Sequence, residues 1–130
     1  MFELGVTASN GNFFGRTEVY ETSDSLKCFA ESLEGFPSST DKSRTIFHEA
    51  GQKSDYAYFS MKLYCIDPSG KVGVHINLES NVATKFRSEE KDKLSLEIIV
   101  EPVAIDTFQK ELLHLAVNEE GFATLMGISD

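Results

Sequence analysis

The feature that most constrains this chain is strict alternation on both sides of a single turn. Across residues 55–66, Ala57, Phe59, Met61, Leu63 and Cys65 take one parity, and Tyr56, Tyr58, Ser60, Lys62, Tyr64 and Ile66 the other. A period of two belongs to a strand, whose successive side chains point to opposite faces. Asp67-Pro68-Ser69-Gly70 follows, with proline second and glycine fourth, as a reverse turn prefers. Beyond it Val72, Val74, Ile76 and Leu78 alternate with Gly73, His75, Asn77 and Glu79. The two runs form an antiparallel hairpin. A two- or four-residue loop pairs positions summing to 137, which sets Leu63 opposite Val74 and Met61 opposite Ile76. A three-residue loop with a bulge at Gly70 would set Leu63 against His75. The apolar pattern selects the first register, because a one-residue slip turns a whole buried face into water.

The remaining segments fit around that hairpin. Phe2, Leu4, Val6 and Ala8 alternate with polar or small residues, Ser9-Asn10-Gly11-Asn12 is a turn signal, and residues 13–22 form a second strand. Ser23-Asp24-Ser25 offers capping oxygens and negative charge for a helix start. Leu26, Phe29, Ala30 and Leu33 then make one apolar stripe, which Gly35, Phe36 and Pro37 end. Residues 38–43 read as a loop and 44–50 as a third strand. Residues 80–92 are a polar connection ending in Glu89-Glu90-Lys91-Asp92. Leu94, Leu96, Ile98 and Val100 alternate once more, and Pro102 ends that strand and opens a helix. Ile105, Phe108, Leu112, Leu115 and Ala116 share its apolar face, Asp106 and Gln109 have capping-box spacing, and Gly121 closes it. Residues 122–128 read as a short edge strand. The order is ββαββββα. Hairpin-length connections predict an α+β fold, an antiparallel sheet of about six strands with two helices packed on one face.

Length bounds the rest. A chain of 130 residues falls in the single-domain range, and residues 1–130 read as one domain. It can bury roughly two thirds of its unfolded surface, enough for a core without metal or disulfide. Cys28 and Cys65 lie 37 residues apart. A single disulfide is one reading, but a core of this size favours two buried free thiols, and neither cysteine has the spacing of a zinc ligand. The first residues carry no basic start and no apolar stretch of signal-peptide length, and no segment approaches the ~20 apolar residues of a membrane helix. The chain reads as cytoplasmic.

Twelve basic and 21 acidic residues give a net charge of −9. Residues 1–40 carry −4, residues 41–93 carry +1, and residues 94–130 carry −6. The two helical segments hold much of that acid: Asp24, Glu31, Glu34, Asp106, Glu111, Glu119 and Glu120. Such a surface repels nucleic acid and anionic membranes and attracts a basic partner. Solubility alone is the bland alternative.

No catalytic constellation emerges. His48, His75 and His114 fall on three different elements without metal-ligand spacing, and a lone histidine is more often a surface or satisfied polar residue. There is no phosphate-binding glycine loop and no nucleophile elbow. Glu89-Glu90 and Glu119-Glu120 lie in polar segments, whereas a general acid needs a buried carboxyl with a raised pKa. The expectation is a protein that is not an enzyme and takes no cofactor and no metal.

The polar sheet face is more informative. The chosen register sets Lys62 opposite His75, Ser60 opposite Asn77, Tyr58 opposite Glu79, and Tyr64 over Gly73, where a ring shields exposed backbone. Tyrosine suits half-exposed strands in general, but it is also enriched at interfaces, where it buries a ring and keeps a polar tip. Tyr56, Tyr58, Tyr64, Lys62, His75, Asn77, Glu79 and Glu97 are therefore the candidate partner-binding residues.

In layout and charge the chain resembles the small acidic immunity proteins that bacteria encode beside secreted toxins. That likeness rests on the hairpin, the helix over residues 26–35, the long hairpin around Asp67-Pro68-Ser69-Gly70 and the C-terminal helix. The group shares no motif, so no functional residue carries across. The resemblance implies a non-enzymatic protein-binding domain that neutralises a basic toxin such as a nuclease. The alternative is a small-molecule-binding domain or an enzyme with a pocket on the open sheet face, where His75, Glu97 and Tyr58 would converge. A homodimer through that face is a third reading.

Overall fold

In the computed structural model, which describes residues 1–38, 43–52, 57–80 and 91–128, the element order is ββαββββα, as the sequence implies. It runs β1 (Phe2–Ser9), β2 (Phe14–Glu21), α1 (Ser23–Ser32), β3 (Thr45–Gly51), β4 (Tyr58–Cys65), β5 (Val72–Glu79), β6 (Lys93–Val100) and α2 (Pro102–Asn118). Tyr56, the stretch 81–90 with Glu89 and Glu90, and residues 39–42 of the first loop lie outside the described residues.

The expected single sheet of six strands is replaced by two antiparallel sheets. One is β1–β2 and the other has the order β3-β4-β5-β6. The reason lies in what β2 touches. A Cβ at Gly15 would come within 2.6 Å of Leu94 on β6. Thr17 Oγ1 donates to the Glu79 carbonyl at the end of β5 (2.7 Å), and Glu21 Oε2 reaches His48 Nε2 on β3 (2.7 Å). Inward residues of one strand thus meet three different strands of the larger sheet. β2 crosses those strands and cannot join their ladder.

The central hairpin has the register that the apolar pattern selects, with Leu63 opposite Val74 and Met61 opposite Ile76. Its turn is held by Asp67 Oδ1, which accepts from the Ser69 amide, the Ser69 hydroxyl and the Lys71 amide. On the inner face Ile46, Met61, Leu63, Val74, Ile76, Leu96 and Val100 are buried against Leu26, Ala30, Leu33, Ile105, Phe108 and Leu112 of the helical segments. Each such side chain removed from water contributes about 1.5–3 kcal/mol. Both helices share that face and pack on each other.

The helix ends depart from the sequence reading by a residue or two. Thr22, not Ser23, caps α1, its hydroxyl accepting from the Ser25 amide. Glu101 precedes α2 without a side-chain cap, Pro102 opens it, and Asp106 lies within the helix, so the expected capping box is not formed. Glu119, in the left-handed conformation at φ 55°, ends α2 two residues before Gly121. Residues 122–128 form no strand, although the Ile128 amide donates to the Ile99 carbonyl on the outer edge of β6. Both thiols are free, but Cys28 is exposed, beside the apolar stripe of α1, and Cys65 is only half-buried, packed against the core from the last, inward-facing position of β4. Neither helix is long and apolar enough to cross a membrane.

Candidate functional site

The four-stranded sheet presents its outward residues in rows. Tyr64, Gly73 and Ile99 share one row, and Phe47, Lys62, His75 and Glu97 share the next. Glu49, Ser60, Asn77 and Ser95 follow, and Tyr58, Glu79 and Lys93 end the series. The structure thus brings seven of the eight candidate residues to one face, with Tyr56 outside the described residues. The face divides in two. Lys62, Tyr64, His75, Asn77 and Glu97 reach solvent, whereas Tyr58, Ser60 and Glu79 are buried.

At the accessible end the side chains hold one another. Tyr64 donates to Glu97 Oε2 (2.6 Å), and its ring lies over Gly73, where any Cβ would fall 2.8 Å from the ring carbon Cζ. The Lys62 ammonium sits 5.6 Å from the centre of that ring. Glu97 Oε1 is 3.5 Å from His75 Nδ1, and His75 Nε2 is 3.1 Å from the Ser95 hydroxyl. Asn77 donates to Ser60 (3.2 Å). The hydrogen bond to Glu97, then burial and the Glu97 charge, hold the Tyr64 hydroxyl above its ordinary pKa. It stays a neutral donor. Packing and cross-strand bonds order these side chains, which have thereby already lost much of their freedom.

The buried end is built differently. Tyr58 donates to Glu49 Oε2 (2.6 Å), and burial, reinforced by that bond, raises its pKa. Glu79 lies 3.4 Å from the Lys91 ammonium, both side chains almost wholly enclosed. These groups brace the end of the sheet.

One pair escaped the sequence reading. His48 is buried with its ring stacked flat on Phe29 (4.4 Å between centres) and edge-on to Phe59, and its Nε2 faces Glu21. Burial works against a charge on Glu21. The His48 hydrogen bond and charge, the Thr22 amide and Ser25 together outweigh it, and the carboxyl is held below its ordinary value. A general acid needs the opposite shift. Twenty-seven residues separate the two, on strands of different sheets, so only the crossing of β2 over β3 brings them together. An acid at the end of a strand that begins a helix was the available signal.

A groove lies on the other side of the larger sheet. About 740 Å³ in volume, it runs along β1 and is floored by Met61, Ile76, Ile98, Phe108 and Leu112, with residues 119–126 as its far wall. Neither Tyr58, His75 nor Glu97 borders it, so they do not converge on this cavity. Among the described residues, no group of three or more histidine, cysteine or acidic side chains is placed to hold a metal ion. Comparison with protein-family models, with curated proteins and with solved structures finds no match.

Proposed function

We propose that this chain is a non-enzymatic protein-binding domain that recognises a basic protein partner, in the manner of an immunity protein that covers a toxin such as a nuclease. The observation that carries the reading is the acidic helical layer. The two helices with their flanking turns, residues 22–35 and 101–121, hold eight carboxylates and two lysines. α1 packs against α2, and the Ser23 hydroxyl donates to Glu119 (2.5 Å), which joins the start of one acidic segment to the end of the other. Glu3, which borders the same groove as Glu119 and Glu120, and its neighbour Glu18 add acid at exposed positions of the β1–β2 hairpin. There Glu3 is raised above its ordinary pKa by a hydrogen bond to Glu18 and by that neighbour's charge. Two carboxylates held together in this way gain from any cation that docks on them.

An acidic surface steers a basic partner and shows this as an association rate that falls with salt. The test starts with capture of the partner from the native lysate, followed by binding kinetics. Charge reversal at Glu31, Glu34 and Glu120 is expected to slow association more than it speeds dissociation. Unchanged kinetics, with loss of binding in Tyr64→Ala instead, would move the interface to the sheet face. An acidic partner, or association indifferent to salt, would refute the reading.

Small-molecule binding is the second reading, favoured by the groove, whose volume is in the range of ligand pockets. It would use the inner side of the sheet, not the open face.

A further inference from the structure

The groove has a wall that no small molecule needs: the unpaired edge of β1. Residues 2–9 all border it, outward- and inward-facing side chains alike, so it is the edge of the strand that meets the space. Among the described residues β1 pairs with β2 alone. The Asn10 amide donates to the Phe13 carbonyl, which makes that pair a hydrogen-bonded one. Bonded and non-bonded pairs alternate along an antiparallel ladder. Phe2, Leu4, Val6 and Ala8 therefore turn their backbone groups toward β2, and Glu3, Gly5, Thr7 and Ser9 turn theirs toward the groove.

Edge strands are normally blunted by lysine, proline or a bulge, because open N–H and C=O groups invite another chain. β1 has none of these. Its inward residues Phe2, Leu4 and Val6 are only half-buried, and on the far wall Phe122 and Met126 are exposed at 92% and 69%. Among the described residues, the charged ones around the groove are Glu3, Glu119, Glu120 and Arg16. Arg16 is already engaged, lying over Gly5 and 3.4 Å from the Thr7 hydroxyl. Three carboxylates are left facing one occupied guanidinium.

We propose that β1 captures an extended segment of the basic partner as an added antiparallel or parallel strand, with apolar side chains on the groove floor and basic ones beside Glu3 and the α2 terminus. Neighbouring strands keep their faces aligned, so apolar and basic residues alternate in the segment. Main-chain bonds to Glu3, Gly5, Thr7 and Ser9 provide affinity, and the floor and the carboxylates provide selection. This rests on the basic-partner reading and adds where and in what conformation the partner binds.

The test uses the full chain and two capped peptides of about seven residues, a usual strand length, one alternating lysine with valine and one alternating glutamate with valine. The lysine peptide is expected to bind and to slow hydrogen exchange at the amides of Glu3, Gly5, Thr7 and Ser9, leaving Leu4 and Val6 as they were. Thr7→Pro removes one free-edge donor without touching the β1–β2 bonds, and is expected to weaken binding about tenfold. Exchange protection reads the same contact without a substitution.

Lysine-peptide binding with unprotected edge amides, or undiminished in Thr7→Pro, overturns strand addition and leaves the basic-partner reading standing. Equal binding and protection by the glutamate peptide overturns the basic chemistry. Binding of neither overturns the proposal outright. Edge protection that grows with protein concentration alone assigns the edge to a second copy of this chain.

Discussion

Phenylalanine in place of His48 separates the two things this side chain does. The ring is stacked on Phe29 at an interplanar angle of 5°, and its Nε2 is 2.7 Å from the buried Glu21 carboxylate. His48→Phe keeps an aromatic ring on Phe29 but leaves Glu21 with only its Thr22 and Ser25 bonds. Breaking one side of a buried pair costs about 3–5 kcal/mol. The retained amide bond puts this case near the lower end, at about 3 kcal/mol. His48→Ala also loses the ring contact, about 0.5–1.5 kcal/mol more, plus the cavity. Removing both partners in Glu21→Leu/His48→Phe is expected to cost less than His48→Phe alone, because no buried carboxylate is left stranded. Urea unfolding at neutral pH reads these losses. With an m-value of about 1–3 kcal/mol/M, 3 kcal/mol moves the midpoint by at least about 1 M.

The pH dependence supplies the decisive arm. In the native chain Glu21 sits below its ordinary value of 4.5, so its contribution is present above that value and is lost as pH falls through the lower folded one. Without His48 two of the effects that oppose burial are gone, and the carboxyl rises from its native value. The loss is then relieved as pH falls through the raised value. The deficit of His48→Phe against the native chain should therefore be larger at pH about 7 than at pH about 4.5. An equal deficit at both, or a double variant no more stable than His48→Phe, would refute this account.

Three further outcomes are expected. Gly51→Ala, at φ +89° with the Ala57 carbonyl oxygen where a Cβ would go, should cost well over the about 1–2 kcal/mol of a left-handed alanine; Gly11→Ala, at φ +93° in open space, should cost about that alone, both measured by chemical unfolding. Glu97→Gln should bring the Tyr64 hydroxyl back toward its ordinary pKa, since the carboxylate bond and charge that oppose its ionisation are gone, as an ultraviolet titration would show. Leu63→Ala, at a site with no solvent exposure between the sheet and the helices, should cost about 2–5 kcal/mol and lower the thermal midpoint.

Sequence was most legible where local pattern and burial agree. The alternation on either side of Asp67 placed β4 and β5 and set their register, and with it the pairing of Lys62 with His75 and of Tyr64 with Gly73. The candidate face followed from those rows. What alternation could not supply was accessibility: Tyr58 and Glu79 have the outward parity yet are buried, which depends on contacts along the sheet end and not on strand period. Thr22 and Glu119, the actual helix boundaries, lie within one or two residues of the expected ones, Thr22 through its hydroxyl on the Ser25 amide and Glu119 through its left-handed backbone.

Period and turn chemistry, both properties of a few consecutive residues, determined the order of elements and the face each side chain takes. They said nothing about how the first hairpin meets the larger sheet. That was decided by contacts of Gly15, Thr17 and Glu21 with three separate strands, which divide six strands into two sheets, bury Glu21 against His48 and leave the edge of β1 open above an apolar groove. Local sequence fixes dihedral preference and facing; crossing angle, cavity and buried pairing are set by how large surfaces exclude water together, which no short window of residues encodes.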